Sequence, residues 1–222
     1  MSLLTQHLGS QLVDLGSALL LLTCFAIVAQ RRLSACVDLF ALQSVFLALT
    51  AALVAFLTGI HHIYIAAALT IVIKVVVIPR ILKRVIERLN VTRELQMNVN
   101  VPTGLLVCGG LVILAFFITQ PIIPLGFLLT RDSLAIALAI ILIGFFTMIA
   151  RKKAVTQVIG FLVMENGLFL GAAAAAYGMP LIVELGVFFD VLVGALIIGI
   201  YSHRLQDTFD SVDTSKLTTL KE

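Results

Sequence analysis

Residues 63–85 read IYIAAALTIVIKVVVIPRILKRV. From Ile63 to Ile78 the only charge is Lys74. At 1.5 Å per residue, such a run makes a helix about 35 Å long, enough to cross a hydrocarbon layer of about 30 Å. The residues do not alternate apolar and polar, as a lumen-lining barrel strand would. In lipid only helices and closed barrels satisfy every backbone group, so the run reads as a transmembrane helix with a lysine near its middle. Pro79 predicts a kink soon after Lys74. Beyond it the chain turns basic and amphipathic, from Arg80 through Lys83, Arg84 and Glu87 to Arg88.

Six more runs of this kind fill the chain, at roughly 12–29, 36–58, 103–120, 133–150, 154–176 and 181–202. Each break has physical punctuation. Arg31 and Arg32 close the first run, and Gly59 with His61 and His62 closes the second. Pro121 and Pro124 close the fourth, Arg151-Lys152-Lys153 parts the fifth from the sixth, and Tyr177-Gly178-Met179-Pro180 parts the sixth from the seventh. The composition agrees. Of 222 residues, 61% are hydrophobic and 12% charged, against about 45–50% and 25% in an ordinary globular domain. A water-soluble globule of this length leaves about 30% of its unfolded-chain surface exposed and cannot hide so much apolar area. Disorder, a collagen, a disulfide scaffold and a nucleic-acid module are excluded. The predicted fold is an all-α integral membrane bundle of about seven transmembrane helices.

Charge supplies an independent test. With seven spans, thirteen of the fifteen Lys and Arg fall on one side, leaving Arg131 opposite and Lys74 within a span. The positive-inside rule then predicts an N-terminus outside and a C-terminus in the cytoplasm. Arg31 and Arg32 follow the first run instead of preceding it, which argues against a cleaved secretory signal and for a retained anchor helix. The lipobox-like Leu33-Ser34-Ala35-Cys36 falls on the cytoplasmic side, where cleavage is not expected. Residues 205–222 read as a polar cytoplasmic tail. Cys24, Cys36 and Cys108 form no Cys-x-x-Cys pair and read as small buried residues.

An ionisable group at the bilayer centre costs about 2.5–3.5 kcal/mol on translocon-insertion scales, so the charges within spans are the informative ones. Lys74, Glu165 and Asp190 fall near the middles of the third, sixth and seventh runs. Counted from the cytoplasmic ends, all three lie about 16–20 Å deep, with Glu184 about 9 Å further out than Asp190. Three readings compete: an ion pair that staples helices, a chain of proton-exchanging groups, or contacts to partner subunits. Burial disfavours the charged form of acids and amines alike, which brings both toward proton exchange near neutral pH. Other candidates rank lower. His61 and His62 beside Tyr64 fit an interfacial role better than a metal pair, since adjacent helical residues face different ways. Asp14 and Asp38 lie near span ends. Asn166 can hydrogen-bond across helices, and Ala172–Ala176, Gly186, Gly194 and Gly199 allow close packing. Nucleophile–base pairs, Gly-rich phosphate loops and heme ligand pairs do not occur, so no catalytic, cofactor or metal residues are assigned.

From about Arg131 to Asp213 the chain resembles the K subunit of respiratory complex I and the C subunit of multi-subunit sodium/proton antiporters. Three helices, the basic turn Arg151-Lys152-Lys153, the segment Gly160-Phe161-Leu162-Val163-Met164-Glu165-Asn166, the acid Asp190, His203-Arg204 and Asp210-Ser211-Val212 carry that likeness. The longer seven-span form, with His61-His62-Ile63-Tyr64 before Lys74 and Met164-Glu165-Asn166 later, resembles the E-subunit family of hydrogenase 4, a formate-hydrogenlyase type assembly. This resemblance covers essentially the whole chain. It implies a four-helix membrane block over 1–130, a K-subunit-like three-helix block over 131–204 and the polar tail. K-type subunits carry two membrane glutamates in a lateral proton path. By position one falls on Asp190 and the other on Leu162, with Glu165 three residues later and about 4.5 Å displaced.

The expectation is therefore a multi-pass subunit, in the inner (cytoplasmic) membrane, of a nickel–iron hydrogenase complex related to complex I. It would help assemble the membrane arm and contribute Lys74, Glu165 and Asp190, with Glu184 as a further candidate, to a midplane proton path. The resemblance implies antiporter-like and other membrane subunits as partners, and a nickel–iron centre and iron–sulfur clusters carried by those partners. Two alternatives stay open: a purely structural scaffold whose charges are paired, and a small free-standing ion transporter, which the lack of an obvious inverted repeat disfavours.

Overall fold

The computed structural model describes residues 3–59, 61–88, 99–120, 131–152 and 154–175. The seventh predicted span, at 181–202, lies outside them. The described residues are almost entirely helical: α1 Leu3–Ala29, α2 Leu33–Thr58, α3 His61–Thr70, a π-helical segment Ile71–Val77, α4 Ile78–Arg88, α5 Val101–Thr119, α6 Arg131–Ala150 and α7 Ala154–Ala175. α3, the π segment and α4 run on as one rod. Among the described residues, six helices are long and apolar enough to cross a membrane. The chain is a multi-pass membrane protein.

The helix ends show why the runs stop where they do. Gly59 takes the left-handed conformation at φ 71°, and its N–H returns to the Ala55 carbonyl at 2.9 Å. A Cβ there would be strained, so glycine ends α2 cleanly. Pro102 sits in the first turn of α5, where a missing N–H costs no helical bond. Hydroxyls inside the helices donate to the carbonyl one turn back, as Ser17 does to Val13, Ser44 to Phe40 and Thr147 to Ile143, at 2.7–3.0 Å. A hydroxyl so engaged carries no unmet polar group into lipid.

α2 is the hub. It packs on α1, on the whole α3–π–α4 rod and on α7, while α6 lies against α1, α5 and α7. α5 is peripheral: Gly104, Cys108, Ala115 and Thr119 face inward, while Leu106, Ile113 and Phe117 stay about three-quarters exposed. The tightest seam lies between α6 and α7. A Cβ built on Gly144 would come within 2.6 Å of the Met164 backbone nitrogen. One on Gly160 would meet the Met148 nitrogen at 2.9 Å, and one on Gly167 the Ile141 nitrogen at 2.9 Å. Three absent side chains thus let two backbones touch. This is how membrane helices associate when lipid supplies no hydrophobic drive. Gly110, by contrast, faces open space, and a Cβ added there would meet no atom within 4 Å.

Gly144→Ala is expected to lower the thermal stability of the detergent-solubilised chain by about 1–3 kcal/mol through overpacking. Gly110→Ala is expected to leave it unchanged or raise it by about 0.5–1 kcal/mol, since alanine favours the helix. Thermal unfolding of the two variants side by side checks the contrast.

Candidate functional site

Lys74 lies in the middle of the π segment and is 2% exposed. The irregularity expected from Pro79 falls on its N-terminal side. There the turn widens, with the Ile78 N–H reaching back five residues to the Ile73 carbonyl. In unbroken α geometry the Pro79 ring would press on the carbonyl of Val75. Widened turns of this kind recur at functional sites, because they re-aim a side chain without breaking the helix.

The Lys74 ammonium meets Glu165 Oε1 on α7 at 2.8 Å and donates to Asn166 Oδ1 at 3.2 Å. Asn166 Nδ2 in turn donates to Gln43 Oε1 on α2 at 3.1 Å and lies 3.5 Å from Ser44 Oγ. Gln43 Nε2 donates to the Leu20 carbonyl of α1 at 3.1 Å and meets Cys24 Sγ at 2.9 Å. Gln43, Ser44 and Asn166 are wholly buried, as are Leu20 and Cys24 to within 1%. One polar chain therefore links α1, α2, the π segment and α7. Its polarity follows from its first member. An ammonium only donates, so Asn166 must offer oxygen to it and nitrogen to Gln43. Gln43 must then offer oxygen to Asn166 and nitrogen to α1.

Lys74 and Glu165, placed at one depth by the sequence, are thus brought together. Asn166 joins them, as a residue able to bond across helices. Asp190 and Glu184 lie outside the described residues. Gln43 is a member that sequence reasoning missed. Its signal was an amide in an otherwise apolar stretch, Phe40-Ala41-Leu42-Gln43-Ser44-Val45-Phe46. Leu162, three residues before Glu165 on α7, is wholly buried.

Two smaller clusters flank this chain. Toward the start of α1, Asp14 Oδ1 accepts from Ser133 Oγ at 3.1 Å, and Ser133 and Ser17 hydroxyls lie 2.9 Å apart, tying α1 to α6. At the other end of α1 lies Arg151, counted in the sequence only as part of a basic turn. It is 2% exposed. Its Nη2 donates to the carbonyls of Ile27, Val28 and Gln30 at 3.2, 3.1 and 3.1 Å. These carbonyls lie where the helix runs out of donors, although that of Ile27 also accepts from the Gln30 N–H at 3.3 Å, and a cation complements the dipole there. Burial draws the Arg151 pKa below its ordinary value, with the Cys36 thiol acting the other way. Asp38 on α2 pairs with Lys83 on α4, both largely in solvent. Among the described residues, no three His, Cys, Asp or Glu side chains cluster as metal ligands would.

Comparison with known proteins finds relatives along nearly the whole chain. An uncharacterized protein of Mycobacterium tuberculosis, Rv0085, is 35% identical over 96% of this chain and 97% of its own length. The chain belongs to the family of that protein. It is also similar to Hydrogenase-4 component E of Escherichia coli and of Shigella flexneri, each 24% identical over 96% of this chain and 99% of the relative. No family model matches the chain, and no solved structure matches it significantly.

Arg151→Met should leave the Val28 and Gln30 carbonyls without this donor and lower stability by about 1–3 kcal/mol. Lys152→Met, on the exposed neighbour, should stay within about 0.5 kcal/mol of the parent. Denaturation of both variants in one detergent makes the comparison.

Proposed function

We propose that this chain is a non-catalytic membrane subunit of a nickel–iron hydrogenase complex related to complex I, and that its buried polar chain forms part of a midplane proton path. Similarity to Hydrogenase-4 component E along nearly all of both chains supports the membership. The observation that carries the path is the Lys74–Glu165 pair at 2.8 Å inside the bundle, continued through Asn166 and Gln43. An ammonium, a carboxylate and two amides in hydrogen-bonded sequence are the kind of intramembrane polar chain along which protons are relayed. Asp190 is a further station in this reading, and Glu184 an outer one. The metal centre and clusters belong to partner chains, and antiporter-like subunits adjoin this one in the membrane arm of the cytoplasmic membrane.

The scaffold reading has its own support. The same pair is a closed ion pair between two helices, and breaking such a pair by removing one partner leaves an uncompensated charge worth about 3–5 kcal/mol. The two readings part on one experiment. The complex is isolated with its co-purifying subunits in membrane vesicles, and hydrogen evolution and proton uptake are measured separately. On the path reading, Glu165→Gln and Asp190→Asn each leave assembly and hydrogen evolution intact and reduce proton translocation about tenfold or more. The double variant Lys74→Met with Glu165→Leu removes both charges at once. Retained coupling in that double variant establishes the scaffold, and lost coupling in an assembled complex supports the path. Absence of a large hydrogenase subunit with paired Cys-x-x-Cys motifs among the co-purifying chains would refute the membership itself.

A further inference from the structure

The polar half of α4 takes no part in the buried chain. Ile78, Leu82, Val85 and Ile86 turn inward to the core. Arg80, Lys83, Arg84 and Glu87 face outward and are exposed. Earlier in the same rod the outward residues are apolar: Ile65, Ile71, Val72 and Val77 are 68%, 47%, 56% and 42% exposed. One continuous helix therefore changes its outer surface from apolar to basic within a turn, between Val77 and Arg80.

Two other basic segments are held at the same end. The Lys83–Asp38 pair ties α4 to the first turns of α2, just after the exposed Arg31 and Arg32. Arg151 bonds the Gln30 carbonyl, which brings the exposed Lys152 beside that loop. Arg31, Arg32, Arg80, Lys83, Arg84 and Lys152 thus gather against two carboxylates, Asp38 and Glu87.

We propose that this end of the bundle binds anionic phospholipid. The headgroup phosphate rests on Arg80, Lys83 and Arg84, flanked by Arg31, Arg32 and Lys152, and the acyl chains run along Ile65, Ile71, Val72 and Val77. Guanidinium groups take phosphate oxygens two at a time, and long cationic side chains reach the headgroup layer while their stems stay in apolar surroundings. Clusters of four to eight cations directly beside a span are the usual footprint of anionic lipid. An acidic protein surface would match the cations but not the uncovered apolar lane directly above them. A phospholipid matches both, in that order and at that spacing. The inference stands apart from the hydrogenase reading.

The test is native mass spectrometry of the full-length chain, with any subunits that co-purify, titrated with phosphatidylglycerol or with phosphatidylcholine of the same acyl composition. The parent protein is expected to retain phosphatidylglycerol about tenfold better. The triple variant Arg80→Gln, Lys83→Gln and Arg84→Gln should abolish that preference. A control that keeps the charge of the patch, Arg80→Lys, Lys83→Arg and Arg84→Lys, should hold it within about twofold. A second variant, Arg31→Gln, Arg32→Gln and Lys152→Gln, keeps the α4–α2 ion pair and should lose about threefold, so a poorly folding first variant still leaves a decision. Equal retention of the two lipids by the parent protein, or equal loss in patch and control variants, overturns the proposal.

Discussion

An ammonium group cannot sit in hydrocarbon without acceptors, and it can do nothing but donate. The structure around Lys74 is organised by that constraint. Glu165 supplies charge and Asn166 supplies a carbonyl, so a single turn of α7 answers most of the demand. The remaining hydrogens of the Asn166 amide must then go somewhere. They go to Gln43 on α2, whose own amide hydrogens go to α1. A single charge thereby fixes the orientation of two amides and the relative rotation of four helical segments. In water each bond would be worth little. Inside a bundle the alternative is an orphaned polar group, which makes the set act as a unit.

Such a unit needs its helices held at fixed distance. The glycine seam between α6 and α7 provides this on one side, because backbone contact leaves no slack for α7 to slide or roll. The widened turn in the α3–π–α4 rod provides it on the other, since it presents Lys74 toward α7 while Pro79 passes without breaking the helix. Buried ion pairs are weak evidence for stability and better evidence for a specified geometry. Here the geometry is an ammonium, a carboxylate and two amides joined across four helical segments inside the bundle.

Much of this was legible in residue order, and the exceptions have physical causes. The six described spans were readable because hydrocarbon thickness sets the length of an apolar run, and no other constraint is so uniform. Lys74 and Glu165 stood out because charge in a span is costly. That they meet, and meet Asn166, was not readable: depth along a helix follows from counting, but azimuth depends on packing. The widened turn makes this worse, since it shifts the azimuth of Lys74 relative to any regular wheel. Gln43 escaped because a neutral amide hardly alters the hydropathy of its run. Gly144 and Gly167 escaped because a glycine on a packed seam and one facing open space, such as Gly110, look alike in a string of letters. Arg151 escaped for a different reason. Cations at span ends report topology so regularly that a buried one passes for its solvated neighbours.

Arg151 also has a bearing on how the chain is made. The carbonyls it satisfies lie at the end of the first helix, 121–124 residues earlier. During synthesis the α1–α2 hairpin enters the bilayer long before that arginine exists. Until the chain has passed α6, the Val28 and Gln30 carbonyls of that turn depend on water or headgroups. The bonds that close the first turn are therefore completed only once the chain has reached the α6–α7 turn.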